Sequence, residues 1–322
     1  MVTLRLGTRG SALALVQART VAALLLERTG TGCEIVVIKT SGDKMADARL
    51  SEIGGKGLFV KEIEEALLAG TIDVAVHSSK DMPALIPPGL EVRATLPRED
   101  PRDALVLPAP AGSIPFDEAV RRLGAAPRVG TSSVRRVAQL TALLPQAQFV
   151  PFRGNLDTRL RKLDQGDVDA IVLAAAGLRR LDQADRISAL VPADACVPAP
   201  GQGIVAVEIR QDDAATAAMV EQIGDRDALD ALHAERAVVA ALGGGCQMPI
   251  GAHATISGDR ITLAGVVIAP DGSRAARATA DGPRSDAAAI GRQAAERLLA
   301  GGADDILARI RAADHAGSSR SS

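Results

Sequence analysis

Trp and Tyr are absent from this 322-residue chain, and Phe occurs only four times. With so few aromatic platforms and a net charge of −2, the surface offers neither base stacking nor a broad basic field, which argues against nucleic-acid binding. Histidine is scarce as well: His77, His233, His253 and His315 are scattered, and no Cys-x-x-Cys or His-Glu-x-x-His spacing occurs, so no metal site is expected. The three cysteines, Cys33, Cys196 and Cys246, are odd in number and far apart, which argues against a disulfide framework and suits a reducing compartment. The longest apolar runs, such as Ala170 to Leu178, fall far short of the roughly 18 residues a membrane span needs. No basic, apolar leader precedes the strand-like Leu4-Arg5-Leu6. A cytoplasmic protein with no membrane partner is the expectation.

What is present is ordinary for a folded protein of two or three domains, with 47% hydrophobic and 24% charged residues. Two stretches echo each other: Arg5-Leu6-Gly7-Thr8-Arg9-Gly10-Ser11 and Arg128-Val129-Gly130-Thr131-Ser132-Ser133 each precede a helical pattern. A second echo joins Gly70-Thr71-Ile72-Asp73-Val74-Ala75-Val76 to Gly166-Asp167-Val168-Asp169-Ala170-Ile171-Val172, each a short β-branched run after a helix ending in glycine. Two copies of one α/β lobe follow, with mixed, mainly parallel sheets covered by helices. The charged, Pro-bearing segment Arg98 to Asp103 reads as one crossing between lobes, and Pro198-Ala199-Pro200-Gly201 as a second that returns a strand near Ile204 to Ile209 to the first. The expected partition is 1–99 plus 201–222 for the first lobe and 104–197 for the second. Residues 225–316 then form a small α+β domain with a three-stranded antiparallel meander, and 317–322 a frayed tail.

Basic residues recur on the loops that follow strands, where open α/β sheets bind ligands. Thr8, Arg9 and Ser11 sit at the first strand-to-helix turn, and Ser132 and Ser133 precede a helix whose first turn holds Arg135 and Arg136. Two cations against a helix N-terminus cost stability unless something negative lies opposite. Lys56, Lys80, Arg153, Arg159 and Arg180 extend the pattern, and a polyanionic ligand rich in carboxylates is the inference. Asp81 reads equally as a turn aspartate before Pro83 and as a carboxylate facing a cation that develops on a substrate. Cys246 follows three glycines, Gly243 to Gly245, and reads either as a packed thiol or as one left accessible for a bulky attachment. Neither a Walker loop nor Gly-x-Gly-x-x-Gly follows the first strand, which counts against a nucleotide.

Nine strings in order, GTRGSALALVQA, GGKGLFVKEIEEAL, DVAVHSSKDMP, REDPRDA, VGTSSVRR, FRGNLDTRL, AGLRRL, PGQG and AERAVVAALGGGCQMPIGAHA, make the chain closely resemble the porphobilinogen deaminase (hydroxymethylbilane synthase) family of tetrapyrrole biosynthesis. The resemblance runs nearly end to end. It implies two periplasmic-binding-protein-like lobes plus a small cysteine-bearing domain. It also implies a transferase that joins four porphobilinogen molecules head to tail, releases ammonia at each step and discharges hydroxymethylbilane by hydrolysis. A dipyrromethane cofactor, itself made from porphobilinogen, would be tethered by a thioether to Cys246, each of its pyrroles bearing an acetate and a propionate.

By similarity, Lys80, Ser132, Ser133, Arg135, Arg136 and Arg159 hold cofactor carboxylates, Arg9, Ser11, Arg153 and Arg180 hold substrate, and Asp81 is the catalytic carboxylate facing pyrrole nitrogens. Lys56, Phe59 and Lys61, in or beside the glycine-bearing segment Ser41 to Phe59, are candidate lid residues. Met248 stands where the family usually has a β-branched residue and Gly243 where it often has an acid, which touches loop packing rather than the chemistry. Cys33 and Cys196 are expected to pack. A monomer acting on porphobilinogen is expected, and the alternative is a non-catalytic two-lobed carboxylate-binding protein.

Overall fold

The computed structural model describes residues 3–44, 60–244 and 248–318. The first part of the chain runs through β1 (Thr3–Thr8), α1 (Ala12–Thr29), β2 (Gly32–Val37), α2 (Ser41–Lys44), α3 (Lys61–Leu68), β3 (Val74–Ser78) and β4 (Leu90–Thr95). The second comprises β5 (Asp103–Val106), α4 (Phe116–Arg122), β6 (Arg128–Gly130), α5 (Val134–Leu143), β7 (Gln148–Val150), α6 (Leu156–Asp164), β8 (Ala170–Ala174), α7 (Ala175–Arg180) and β9 (Ala189–Leu190). There follow β10 (Val205–Arg210), α8 (Ala214–Glu221), α9 (Arg226–Ala241), β11 (Ile250–Ser257), β12 (Arg260–Ile268), β13 (Ala275–Pro283), α10 (Ala287–Ala300) and α11 (Ala303–Ser318).

The strands form two five-stranded sheets of matching order, β2-β1-β3-β10-β4 and β7-β6-β8-β5-β9. In each, the pairings reverse only around the strand that enters after a crossing, β10 in one sheet and β5 in the other, so four of the five strands run the same way. The sequence echo is also an echo of contacts. Asp73 accepts from the Arg5 amide at 2.8 Å and donates its own amide to the Arg5 carbonyl at 2.9 Å. Asp169 does the same with Arg128, at 2.7 and 2.9 Å. In both copies an aspartate just before the central strand locks it to an arginine of the neighbouring strand.

Each lobe has its own core. Leu4, Leu6, Val21, Val74 and Val207 pack under α1 and α8 in the first, and Val106, Leu163, Ile171 and Leu178 pack under α6 and α7 in the second. Alternating apolar positions on the strands and the 3.6-residue stripe of the helices place these side chains inward. Ser133, Asn155 and Ser11 cap α5, α6 and α1 by accepting from backbone amides three residues on.

The last domain is the antiparallel sheet β11-β12-β13 under three helices. Its core joins Leu263 and Val267 of the sheet to Val238 of α9, Leu298 of α10 and Leu307 of α11. The closing helix α11 is held by a stripe of Ala303, Ile306, Leu307 and Ile310 that spans fewer than three turns and is easily passed over in the sequence. The helix continues through Ser318, two residues into the stretch expected to fray.

A buried ion pair joins this domain to the crossings. Glu235 of α9 is wholly buried, lies 2.6 Å from Nη1 of Arg98, and accepts from the amides of Gly201 at 2.6 Å and Ala254 at 2.7 Å. The crossing is tight enough to require glycine. Gly203 has φ +88° and a Cβ there would lie 2.2 Å from the Glu99 carbonyl oxygen, while a Cβ on Gly201, at φ +73°, would meet Ser79 Oγ at 2.6 Å.

Candidate active site

The end of β3 tightens into a single 3₁₀ turn, Ser79–Asp81, closed by the Met82 amide on the Ser79 carbonyl at 3.1 Å. The Ser79 amide donates to the Ile204 carbonyl at 3.0 Å, so the turn is pinned to the second crossing. That turn divides two cavities. One, of about 400 Å³ counting its solvent-open mouth, is lined by Arg9, Ser11, Gln17, Ser78 and Asp81 among others. The other, of about 610 Å³ on the same count, collects Lys80, Ser133, Arg135, Arg236 and Met248. Neighbouring residues in a tight turn project apart, so Lys80 serves the larger space and Asp81 the smaller. Met248 places the larger cavity two residues along the chain from Cys246.

The two arginines of α5 have a partner the sequence reading did not name. Asp103, the first residue of β5, is wholly buried and lies 2.8 Å from Nη2 of Arg135 and 2.8 Å from Nη2 of Arg136. Gln202 adds an amide donor at 2.9 Å and Cys196 a thiol at 3.4 Å. The negative charge that the arginine pair requires against the helix N-terminus is therefore supplied within the chain, where the sequence reading had assigned it to a ligand. Burial on its own raises Asp103, and the charges of Arg135 and Arg136 more than reverse this, holding the carboxyl well below the usual range. Burial pushes the Cys196 thiol up to about 12, so it packs and donates.

Polar capacity is nevertheless left over around this pair. Nε of Arg135, Nε of Arg159, Oγ of Ser79 and Oε1 of Gln202 are buried without a hydrogen-bond partner among the described residues. Such atoms are costly unless something else meets them. Burial lowers the Arg159 guanidinium to about 10, Arg136 adding to the effect and Asp81 opposing it. Lys80 is pushed down to about 8 by burial, with Asp81 opposing and Arg136 next. Both are cations whose surroundings favour an incoming anion, and Lys80 lines the larger cavity beside Ser133 and Arg135, so the residues there fit a carboxylate-bearing group.

The other expected residues fall in different roles. Ser11 caps α1 through the Ala14 amide at 3.3 Å and lines the smaller cavity with Arg9. Ser132 exchanges hydrogen bonds with the backbone of Phe152, at 3.0 and 3.2 Å, and so fixes the loop that carries Arg153. Arg180 is lowered by burial, with Glu99 opposing, and donates to the Gly203 carbonyl at 2.7 Å. Lys61 is exposed at the start of α3 and pairs with Glu65 at 3.7 Å. Lys56, Phe59 and Cys246 lie outside the described residues. Sequence reasoning missed Asp103, Gln202 and Arg236. The only signals for them were their places in the motifs REDPRDA, PGQG and AERAVVAALGGGCQMPIGAHA, which carried the resemblance without giving these residues a role.

Two family descriptions match the chain: "Porphobilinogen deaminase, dipyromethane cofactor binding domain" over residues 4–218 and "Porphobilinogen deaminase, C-terminal domain" over 229–300. The chain is 47% identical over 308 residues to the porphobilinogen deaminase of Syntrophotalea carbinolica, covering 95% of this chain and 96% of that one. It is 46% identical over 308 residues to the enzyme of the same name from Geobacter metallireducens, covering 95% and 94%. Among solved structures, the VFT2 domain of Bordetella pertussis BvgS (double mutant) resembles it at a TM-score of 0.40 and 16% identity, over 69% of this chain and 85% of that one.

Proposed function

The chain belongs to the porphobilinogen deaminase family, and from that premise we propose that the two cavities on either side of the Ser79–Asp81 turn are its cofactor and substrate sites. The protein is a transferase of tetrapyrrole biosynthesis, a hydroxymethylbilane synthase that uses a dipyrromethane cofactor. It deaminates four porphobilinogen molecules and joins them head to tail; the non-catalytic alternative is not favoured. The observation that carries the site reading is the opposite facing of Lys80 and Asp81 within one turn.

When bound through Cys246, the cofactor supplies the free pyrrole carbon from which the chain grows. Lys80, Ser133, Arg135, Arg136 and Arg159 hold its carboxylates, with Ser132 keeping the neighbouring loop in place. Arg135 and Arg136 do so while Asp103 fixes their heads, since a guanidinium has more donors than one carboxylate uses. Arg9 and Ser11 hold a substrate carboxylate in the smaller cavity, with Arg153 and Arg180 guarding the approach from the second lobe. Asp81 sets a carboxylate at the junction, where it faces pyrrole N–H groups. There it stabilises the positive charge that develops as ammonia leaves and accepts a hydrogen bond as the ring proton departs.

The proposed partition is that of the sequence reading, 1–99 with 201–222, 104–197 and 225–316, acting as a cytoplasmic monomer with no nucleic-acid or membrane partner. No described helix is long and apolar enough to cross a membrane. Intact mass spectrometry with peptide mapping tests the assignment. The peptide bearing Cys246 is expected to carry the mass of two linked pyrroles in protein active on porphobilinogen, and an unmodified peptide in active protein overturns the tether.

A further inference from the structure

A cluster of buried titratable side chains lies under α3, and none of its members has a part in the chemistry above. On the ladder between β3 and β10, His77 stands opposite Ala206 and Ala75 opposite Glu208. Alternate residues of a strand share a face, so His77 and Glu208 are diagonal neighbours on one side of the sheet. α3 covers that side, where Ile63 and Leu67 join Ala75 in one core, and it adds Glu64. His77, Glu208 and Glu64 are 5%, 0% and 6% exposed. Nε2 of His77 donates to Oε2 of Glu208 at 3.0 Å. Oε1 of Glu208 and Oε1 of Glu64 are buried without a hydrogen-bond partner among the described residues.

Two buried carboxylates near one another are costly while both are ionised, and a neutral acid brings the O–H donor that such a site lacks. Burial pushes the Glu64 carboxyl up to about 7; the charge of Glu208 adds to the effect, and those of His77 and of Arg236 on α9 oppose it without reversing it. Other charged groups around α3 are engaged elsewhere or exposed. Lys61 pairs with Glu65 at 3.7 Å, Glu62 accepts from the Ser41 amide at 2.7 Å, and Arg5 of β1 lies 2.7 Å from Asp73. Arg210 of β10 donates to the Leu67 and Ile72 carbonyls, Glu91 and Arg93 of β4 pair with each other, and Glu34 and Lys39 beside β2 are exposed. The cluster reaches the smaller cavity twice. His77 lines it, and so does Val60, whose carbonyl accepts the Glu64 amide at 2.9 Å in the first turn of α3. We propose that Glu64, His77 and Glu208 form a buried proton-binding site in which Glu64 is the neutral acid, and that loss of its proton loosens the cavity wall at Val60 and His77. The proton site stands apart from the reaction, whereas its effect on substrate rests on the proposed function.

Urea unfolding of full-length wild type and Glu64→Gln tests the proton site without substrate. Because the folded carboxyl lies above its ordinary 4.5, wild type should lose stability relative to the variant as pH rises from there to about 7, after which the gap is constant. The ratio of the two unfolding constants is expected to change at least about tenfold between about pH 5 and about pH 8. The slope of the gap is the readout, so a variant of lower overall stability still decides, and Glu64→Met, neutral without a polar atom, should show the same slope. A gap independent of pH in both variants, or one of opposite slope, overturns the proton site. The coupling is read from KM for porphobilinogen, which should rise between about pH 6.5 and about pH 8.5 at least about threefold more in wild type than in Glu64→Gln, with kcat changing alike in the two. Superimposable KM profiles overturn the coupling alone. Wild type inactive on porphobilinogen overturns the proposed function and the coupling together, and the unfolding comparison still decides the proton site.

Discussion

Replacing Asp103 by Asn changes one charge and almost no volume, which makes it the sharpest probe of the site's electrostatics. The carboxylate lies 2.8 Å from Arg135 and 2.8 Å from Arg136, and accepts from Gln202 at 2.9 Å. Asp103 is 0% exposed, and the two arginines 4% and 7%, so solvent screens little of what is lost. Removing one partner of a buried pair costs about 3–5 kcal/mol, and here one carboxylate serves two guanidinium groups, which places the expected loss toward the upper end. At about 2–4 °C per kcal/mol for a sizeable domain, the melting temperature of cofactor-free protein falls by on the order of 10 °C.

The pH dependence has a definite sign. Asp103 is lowered from its ordinary value of 3.8, so its stabilisation is fully present above that value and is lost as pH falls from there toward its folded value. The gap between wild type and Asp103→Asn in urea unfolding should therefore be flat at neutral pH and narrow only in acid. Cofactor-loaded protein should lose less than cofactor-free protein, because the cofactor's carboxylates restore part of the missing charge. A loss of about 1 kcal/mol or less, the size of an exposed ion pair, would refute the reasoning, as would a gap that closes between neutral pH and the ordinary aspartate range.

Other substitutions probe the remaining links. Asp81→Asn should leave folding and the Cys246 adduct intact in intact-mass spectra while lowering turnover by about 10²–10³-fold, in line with removal of one preorganised electrostatic group; near-native turnover sinks its role. Lys80 is lowered from 10.5 to about 8, so its buried charge opposes folding below that value and the opposition fades as the group is neutralised at higher pH. Lys80→Met should consequently stabilise cofactor-free protein near pH 7 in urea titrations, with a gain that shrinks by about pH 9.5, while slowing cofactor uptake at neutral pH. Glu235→Gln leaves Arg98 without its buried counter-charge and should cost about 3–5 kcal/mol. It should also expose the Pro198 to Gly203 crossing to protease before either lobe, and uniform proteolysis would contradict that placement.

Short-range patterns carried much of the fold. The paired echoes around Arg5 and Arg128, and around Asp73 and Asp169, are strand-and-turn signals a few residues long, and the structure turns them into the same hydrogen bonds twice. The turns after Ser257 and Pro270 set the antiparallel meander for the same reason, since turn chemistry is local. The nine motifs named the family, and with it the chemistry. Local pattern failed where the apolar signal was short, as in α11, or where a residue's partner lies far along the chain.

The amino-acid sequence by itself determined the strand-and-helix alternation, the internal duplication, the family and the recurrence of basic residues on loops that follow strands. Only the tertiary structure decided which of those residues share a cavity. Whether Arg135 and Arg136 meet a ligand alone or a ligand beside Asp103 depends on a strand that enters the lobe 32 residues before Arg135. Whether Lys80 and Asp81 work on one group or two depends on a turn pinned from the second crossing. Periodicity and propensity are set by neighbours in the chain, whereas charge compensation and cavity walls are set by neighbours in space, and the two coincide only when the chain folds back on itself.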